Sequence, residues 1–135
     1  MNIKEYLLLK NKNICQLDLN LDNSDNFLEL LTQKIKTGFN FFIISSSYLS
    51  DSFAFSILKN ARQLLAEYDV LFLICGRIDF AISLKADGVF LGDNHLKIEP
   101  FKEFLSENFI IATSVNSGVI ADVYIDWYQF DILNI

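Results

Sequence analysis

Apolar residues recur along this chain in two rhythms. Nearly continuous short runs at residues 14–19, 39–44, 70–74, 88–91 and 109–113 have the length and the β-branched and aromatic content of buried strands. Between them, apolar residues return every three or four positions, as on one face of a helix. Phe27, Leu28, Leu31 and Ile35 form the first such stripe. Phe53, Ala54, Ile57, Leu58, Ala61, Leu64 and Leu65 form a longer one, and Ile78, Ala81, Ile82 and Leu84 a short one. Phe101, Phe104 and Leu105 form a fourth, with Pro100 in the first turn. Polar punctuation agrees: Ser24 or Asp25 can cap the first helix, Gly38 stops it, and Ser50-Asp51 opens the second. A short apolar run, residues 6–9, predicts an extra strand or a short N-terminal helix.

A strand, a helix and another strand pair in parallel through a right-handed crossover. The stretch from residue 70 to 95 is the clearest such unit, with Ala86-Asp87 alone between the short helix and the second strand. Both strands then open on one side, at Cys75-Gly76 and at Gly92-Asp93-Asn94-His95, the side where parallel α/β folds hold ligands. After Ser114 the pattern changes, because residues 115–120 are too few for a returning helix, which must be missing or reduced to a turn. Residues 123–133 alternate and are rich in aromatics, so they predict one further strand with room to be long.

Residues 74–95 resemble the central signature of the thiamin phosphate synthase and thiazole tautomerase (TenI-like) family. The resemblance is carried by Arg77-Ile78-Asp79-Phe80-Ala81 and by Ala86-Asp87-Gly88-Val89-Phe90-Leu91-Gly92 at this spacing. It implies an α/β fold, here a single domain over residues 1–135. The expected form is an incomplete or shortened TIM-type β/α barrel with about six mainly parallel strands, since eight strands close such a barrel. It also implies a site. Where the family has a Gln-x-Arg-x-Lys-like set that grips a pyrimidine diphosphate, this chain has Ile43, Ser45 and Ser47. Serine hydroxyls supply neutral hydrogen bonds but none of the positive charge a diphosphate demands. Where the family has an Asn-Asp pair and a later Asp that hold the pyrimidine and Mg²⁺, this chain has Cys75, Gly76 and His95. These are poor ligands for a hard cation, and Asp93 in the same turn is the nearest carboxylate, so no metal site and no cofactor are expected. Ser114 matches the serine of a family Gly-x-Ser and can donate to a phosphate oxygen.

Composition narrows the function classes. The chain is 52% hydrophobic with 13 Phe, rich enough that apolar surface is expected to be deeply buried or to meet a partner. A net charge of −6 without a Lys/Arg cluster argues against nucleic acid. No apolar run reaches the length of about 18 residues that a membrane helix needs, and residues 1–6 do not make a signal peptide, so a cytoplasmic protein without membrane contact is expected. Cys15 and Cys75 read as reduced, buried thiols, with no neighbour in sequence to activate Cys75 as a nucleophile. Arg77 reads as the partner of Asp79 or Asp87. His95, the one histidine, lacks an orienting partner at fixed spacing and reads as a solvated loop residue.

The expectation is therefore a degenerate family member without synthase activity, kept as a binding or structural protein. It has no catalytic residue, and its ligand site is formed by Cys75, Gly92, Asp93, His95 and Ser114, the resemblance implying a phosphorylated small molecule. The alternative is an enzyme of thiamin biosynthesis, an atypical synthase or a thiazole tautomerase, using Asp93, His95 and Ser114 with residues of another subunit. A homodimer is expected, because an incomplete barrel exposes strand edges and residues 123–132 supply Tyr124, Trp127, Tyr128 and Phe130 to a contact.

Overall fold

The computed structural model describes residues 11–91, 109–115, 118–125 and 128–131. The apolar runs become β1 (Ile14–Asp18), β2 (Phe41–Ser45), β3 (Leu71–Cys75), β4 (Gly88–Phe90) and β5 (Phe109–Val115), joined in chain order by parallel pairing. The helical stripes become α1 (Phe27–Lys36), α2 (Asp51–Leu65) and α3 (Ile78–Ser83). The expected helix near residue 101 and the segment at residues 6–9 lie outside the described residues.

Strand alternation sorts the side chains into two layers. Cys15, Phe42, Ile44, Phe72, Ile74, Val89, Phe109 and Ile111 join the helix residues Phe27, Leu31, Ala54, Leu58, Ala61, Leu65 and Ala81 in the larger core. Their neighbours along the strands, Phe41, Ile43, Leu71, Leu73, Ile110 and Ala112, face the other way and pack on one another with Ile14, Cys75 and Phe90. Both layers are apolar because a parallel sheet is buried on both faces. Each fully buried side chain of this size contributes about 1.5–3 kcal/mol.

Three expectations about the helices need correction. Ser24 and Asp25 do not cap α1 but sit in a 3₁₀ turn, Ser24–Asn26, ahead of it. Leu28 and Phe53 were expected to face inward and are instead 37% and 42% exposed. Successive helix residues lie about 100° apart, so once Phe27 and Ala54 take the inward positions their neighbours point away.

Helix α1 ends as its glycine requires. Gly38 adopts φ +102, its N–H donates to the Ile35 carbonyl at 3.0 Å, and the Phe39 N–H reaches back to the Lys34 carbonyl at 3.2 Å, a Schellman closure. Helix α3 closes with the same pair of bonds, Lys85 N–H to Ile82 and Ala86 N–H to Ala81, but with Lys85 at φ 53 in the glycine position.

The sequence after Ser114 makes a hairpin pair rather than a sixth parallel strand. Strand β6 (Gly118–Ile125) runs antiparallel to β5 from the pairing of Val115 with Gly118, and β7 (Tyr128–Asp131) runs antiparallel to β6 from the pairing of Ile125 with Tyr128. The expected loss of a returning helix is observed. Its consequence is reversal of the chain, since two residues can turn an antiparallel pair but a parallel return takes about a dozen. The strand expected over residues 123–133 is thus divided between β6 and β7.

Candidate functional site

The parallel strands end together at Asp18, Ser45, Cys75 and Phe90. Cys15, Leu17 and Leu19 pack toward the helices, so Gln16 and Asp18 are left to the opposite face. With Ile43, Ser45, Cys75 and Phe90 they line a hollow of about 260 Å³ at the mouth of the sheet. Its polar groups are organised around Asp18. The Ser45 hydroxyl donates to Asp18 Oδ1 at 2.8 Å, bridging the ends of β1 and β2. The Asn20 amide lies 3.4 Å from Asp18 Oδ2. The Asp18 carbonyl accepts from Asn23 Nδ2 at 2.8 Å and from Asn20 Nδ2 at 3.3 Å. The loop dense in Asn and Asp therefore serves to fix the end of β1.

Cys75 is half-buried at the end of β3. Burial, and after it the negative charge of Asp18, push its thiol above the ordinary value. It stays protonated near neutral pH and is a weak nucleophile. Gly76 follows at φ +72, and its N–H donates to the Phe90 carbonyl at 2.8 Å. This left-handed turn leads the chain out of β3, and a side chain there would be strained.

Arg77 is occupied elsewhere. Its guanidinium takes Asp51 at 2.8 Å and Asp79 at 2.8 Å, and lies 3.9 Å from the centre of the Phe80 ring. The hydrogen bonds hold the carboxyls of Asp51 and Asp79 below the usual carboxylate range and push Arg77 up. Asp79 is thus a partner of Arg77. Asp87, the other candidate, instead accepts the Phe72 N–H on Oδ2 at 2.8 Å while its own N–H donates to the Phe72 carbonyl, which pins the start of β3. Next to it, Gly88 pairs with Ile110, and the Ile110 backbone occupies the space a Cβ would need.

Of the residues expected to bind ligand, the structure brings Cys75 into the mouth and places Ser114 in β5 opposite Val119. Gly92, Asp93 and His95 lie outside the described residues. Ser45 and Ile43 line the hollow, while Ser47 is exposed in the turn beyond β2. The sequence reading missed Asp18 and Gln16, which the alternation of residues 15–19 could have revealed. Among the described residues, no three His, Cys, Asp or Glu side chains are grouped to hold a metal ion. No described helix is long and apolar enough to cross a membrane. A second hollow, about 400 Å³, lies against α1 and α2 and contains none of the expected site residues.

The chain is similar to known proteins in sequence and in fold. The thiamine-phosphate synthase of Pyrococcus furiosus is 46% identical over 63 residues, 47% of this chain and 30% of that protein. Putative thiamine-phosphate synthase 2 of Aquifex aeolicus is 32% identical over 93 residues, 69% of this chain and 50% of its own length. The solved structure of thiamine phosphate pyrophosphorylase from Pyrococcus furiosus superposes with a TM-score of 0.65 at 29% identity, covering 80% of this chain and 52% of that one. The chain thus spans about half or less of the length of these relatives, and its five parallel strands form part of their barrel. The family model described as thiamine monophosphate synthase matches residues 14–121, from the first residue of β1 into β6, and the chain belongs to that family.

Proposed function

We propose that this family member lacks synthase activity and serves as a binding protein that takes a small molecule at the mouth of its sheet. One observation carries the reading. Ser45 stands where the resemblance places a cation, and its hydroxyl is committed to the Asp18 carboxylate, so this part of the mouth presents negative charge to an incoming diphosphate. Like charges at close range repel, and no lining residue among those described is Lys or Arg. The second reading, an enzyme of thiamin biosynthesis working through Asp93, His95 and Ser114 with help from another subunit, is favoured by the synthase names of the matched relatives.

Magnesium, the pyrimidine diphosphate and the thiazole phosphate supplied together to the purified chain separate the two. No thiamin phosphate is expected; magnesium-dependent product that disappears in Ser114→Ala would establish the enzyme. The proposal also has the chain working in the cytoplasm, where its two unpaired cysteines stay reduced. It pairs with a second copy through the ends of the sheet: β1 and β7 each have one hydrogen-bonded neighbour among the described residues. Sedimentation at micromolar concentration reads this directly, with a dimer expected and a monomer that persists on concentration contradicting it.

A further inference from the structure

Among the described residues that line the mouth, the one carboxylate is Asp18. A carboxylate offers about four acceptor positions. Asp18 gives one to the Ser45 hydroxyl at 2.8 Å, and the Asn20 amide is at 3.4 Å, so positions remain for an incoming donor. Gln16 lines the same hollow from the same strand and is exposed. Phe90 supplies an aromatic wall. Arg77, two residues past Cys75, does not offset the Asp18 charge there, because Asp51 and Asp79 hold it. A hollow of about 260 Å³ falls just below the range of drug-sized pockets and suits a ligand of one ring.

We propose that the mouth binds a small planar organic cation, of the aromatic amidinium class, with Asp18 as its counter-charge and Phe90 against its ring. Two parallel N–H groups meet a carboxylate in a fork, and a delocalised cation loses little on leaving water. The inference rests on the reading that the mouth has exchanged its anion-binding set, and it names the ligand class that replaces the diphosphate.

Benzamidinium, benzamide, benzoate and phenyl phosphate, titrated separately into the ¹⁵N-labelled chain at low salt, test it. Benzamidinium is expected to shift the amides of Asp18, Ser45 and Cys75 saturably, with affinity that falls as salt is raised. Benzamide, benzoate and phenyl phosphate should leave them in place. Asp18→Asn keeps an oxygen for the Ser45 hydroxyl and should weaken benzamidinium by about tenfold or more, about 1.4 kcal/mol. The salt dependence of the native chain gives the same information without a variant. Equal binding of benzamide, tighter binding of phenyl phosphate, or full affinity in Asp18→Asn overturns the proposal. Silence toward all four probes overturns it too, yet leaves the absence of synthase activity standing. Phenyl phosphate at the mouth together with thiamin phosphate production removes both.

Discussion

The βαβ unit from Leu71 to Phe90 and the mouth beside it lie on the same strands, and they differ in what their residues do. Among the described residues that carry the resemblance, all but Phe90 lie outside the lining of the mouth and serve as structural parts. Arg77 and Asp79 pair across the turn after β3, Ala81 is fully buried, Asp87 holds the start of β3, and Gly88 lets the backbones of β4 and β5 close. At the mouth, Ile43 and Cys75 stand where the resemblance implies amide ligands and Ser45 where it implies a cationic one, and Asp18 adds a carboxylate. The requirements of packing and those of ligand binding fall largely on different residues, with Ile43, Cys75 and Phe90 shared, so most of the first can be kept while the second are exchanged. A family signature made of scaffold residues reports the fold, and the ligand must be read from the mouth itself.

Neighbouring residues of β2 offer the sharpest way to break this contrast. Ile44 is fully buried toward the helices, and Ile44→Ala should cost about 3 kcal/mol through lost burial and the cavity left behind. Urea unfolding measures it; a loss below about 1 kcal/mol would mean that the helix-facing layer is not the stable part. Ser45→Ala, one position on, removes the bond to Asp18 at a half-buried site and should cost about 1 kcal/mol or less in the same experiment.

Much of the scaffold was legible for the same reason that it is stable. Runs buried on both faces, as at residues 41–44 and 71–74, leave a signal that loops do not obscure. The reversal between β6 and β7 was not legible, because one long strand and two short ones alternate alike and Asp126-Trp127 carries neither the Gly nor the Asn that marks a tight reversal. Cys75 and Ser45 were read at the mouth by position. Asp18 was missed because its partners come from a different strand and from a loop that looked like punctuation.

Lys85 sharpens the scaffold side of the comparison in the opposite direction. It holds φ 53 at the end of α3, where Gly38 serves the same purpose after α1. Lys85→Gly should raise stability by about 0.5–1 kcal/mol in urea, relieving a backbone conformation that L-residues disfavour. The smallest effect belongs to Arg77. Asp51 and Asp79 have carboxyls lowered by Arg77, so the stabilisation is complete above their unfolded values and is lost as pH falls through the lowered folded ones. The difference in Tm between the native chain and Arg77→Ala should therefore be small at pH 7, as for exposed pairs generally, and vanish in acid. A difference that grows on acidification would contradict the pairing.

The central claim, that the family scaffold here surrounds a mouth without the family's anion grip, is met most directly by titrating magnesium pyrophosphate into the ¹⁵N-labelled native chain. The account predicts that the amides of Asp18, Ser45 and Cys75 do not move; saturable shifts at those three residues would contradict it.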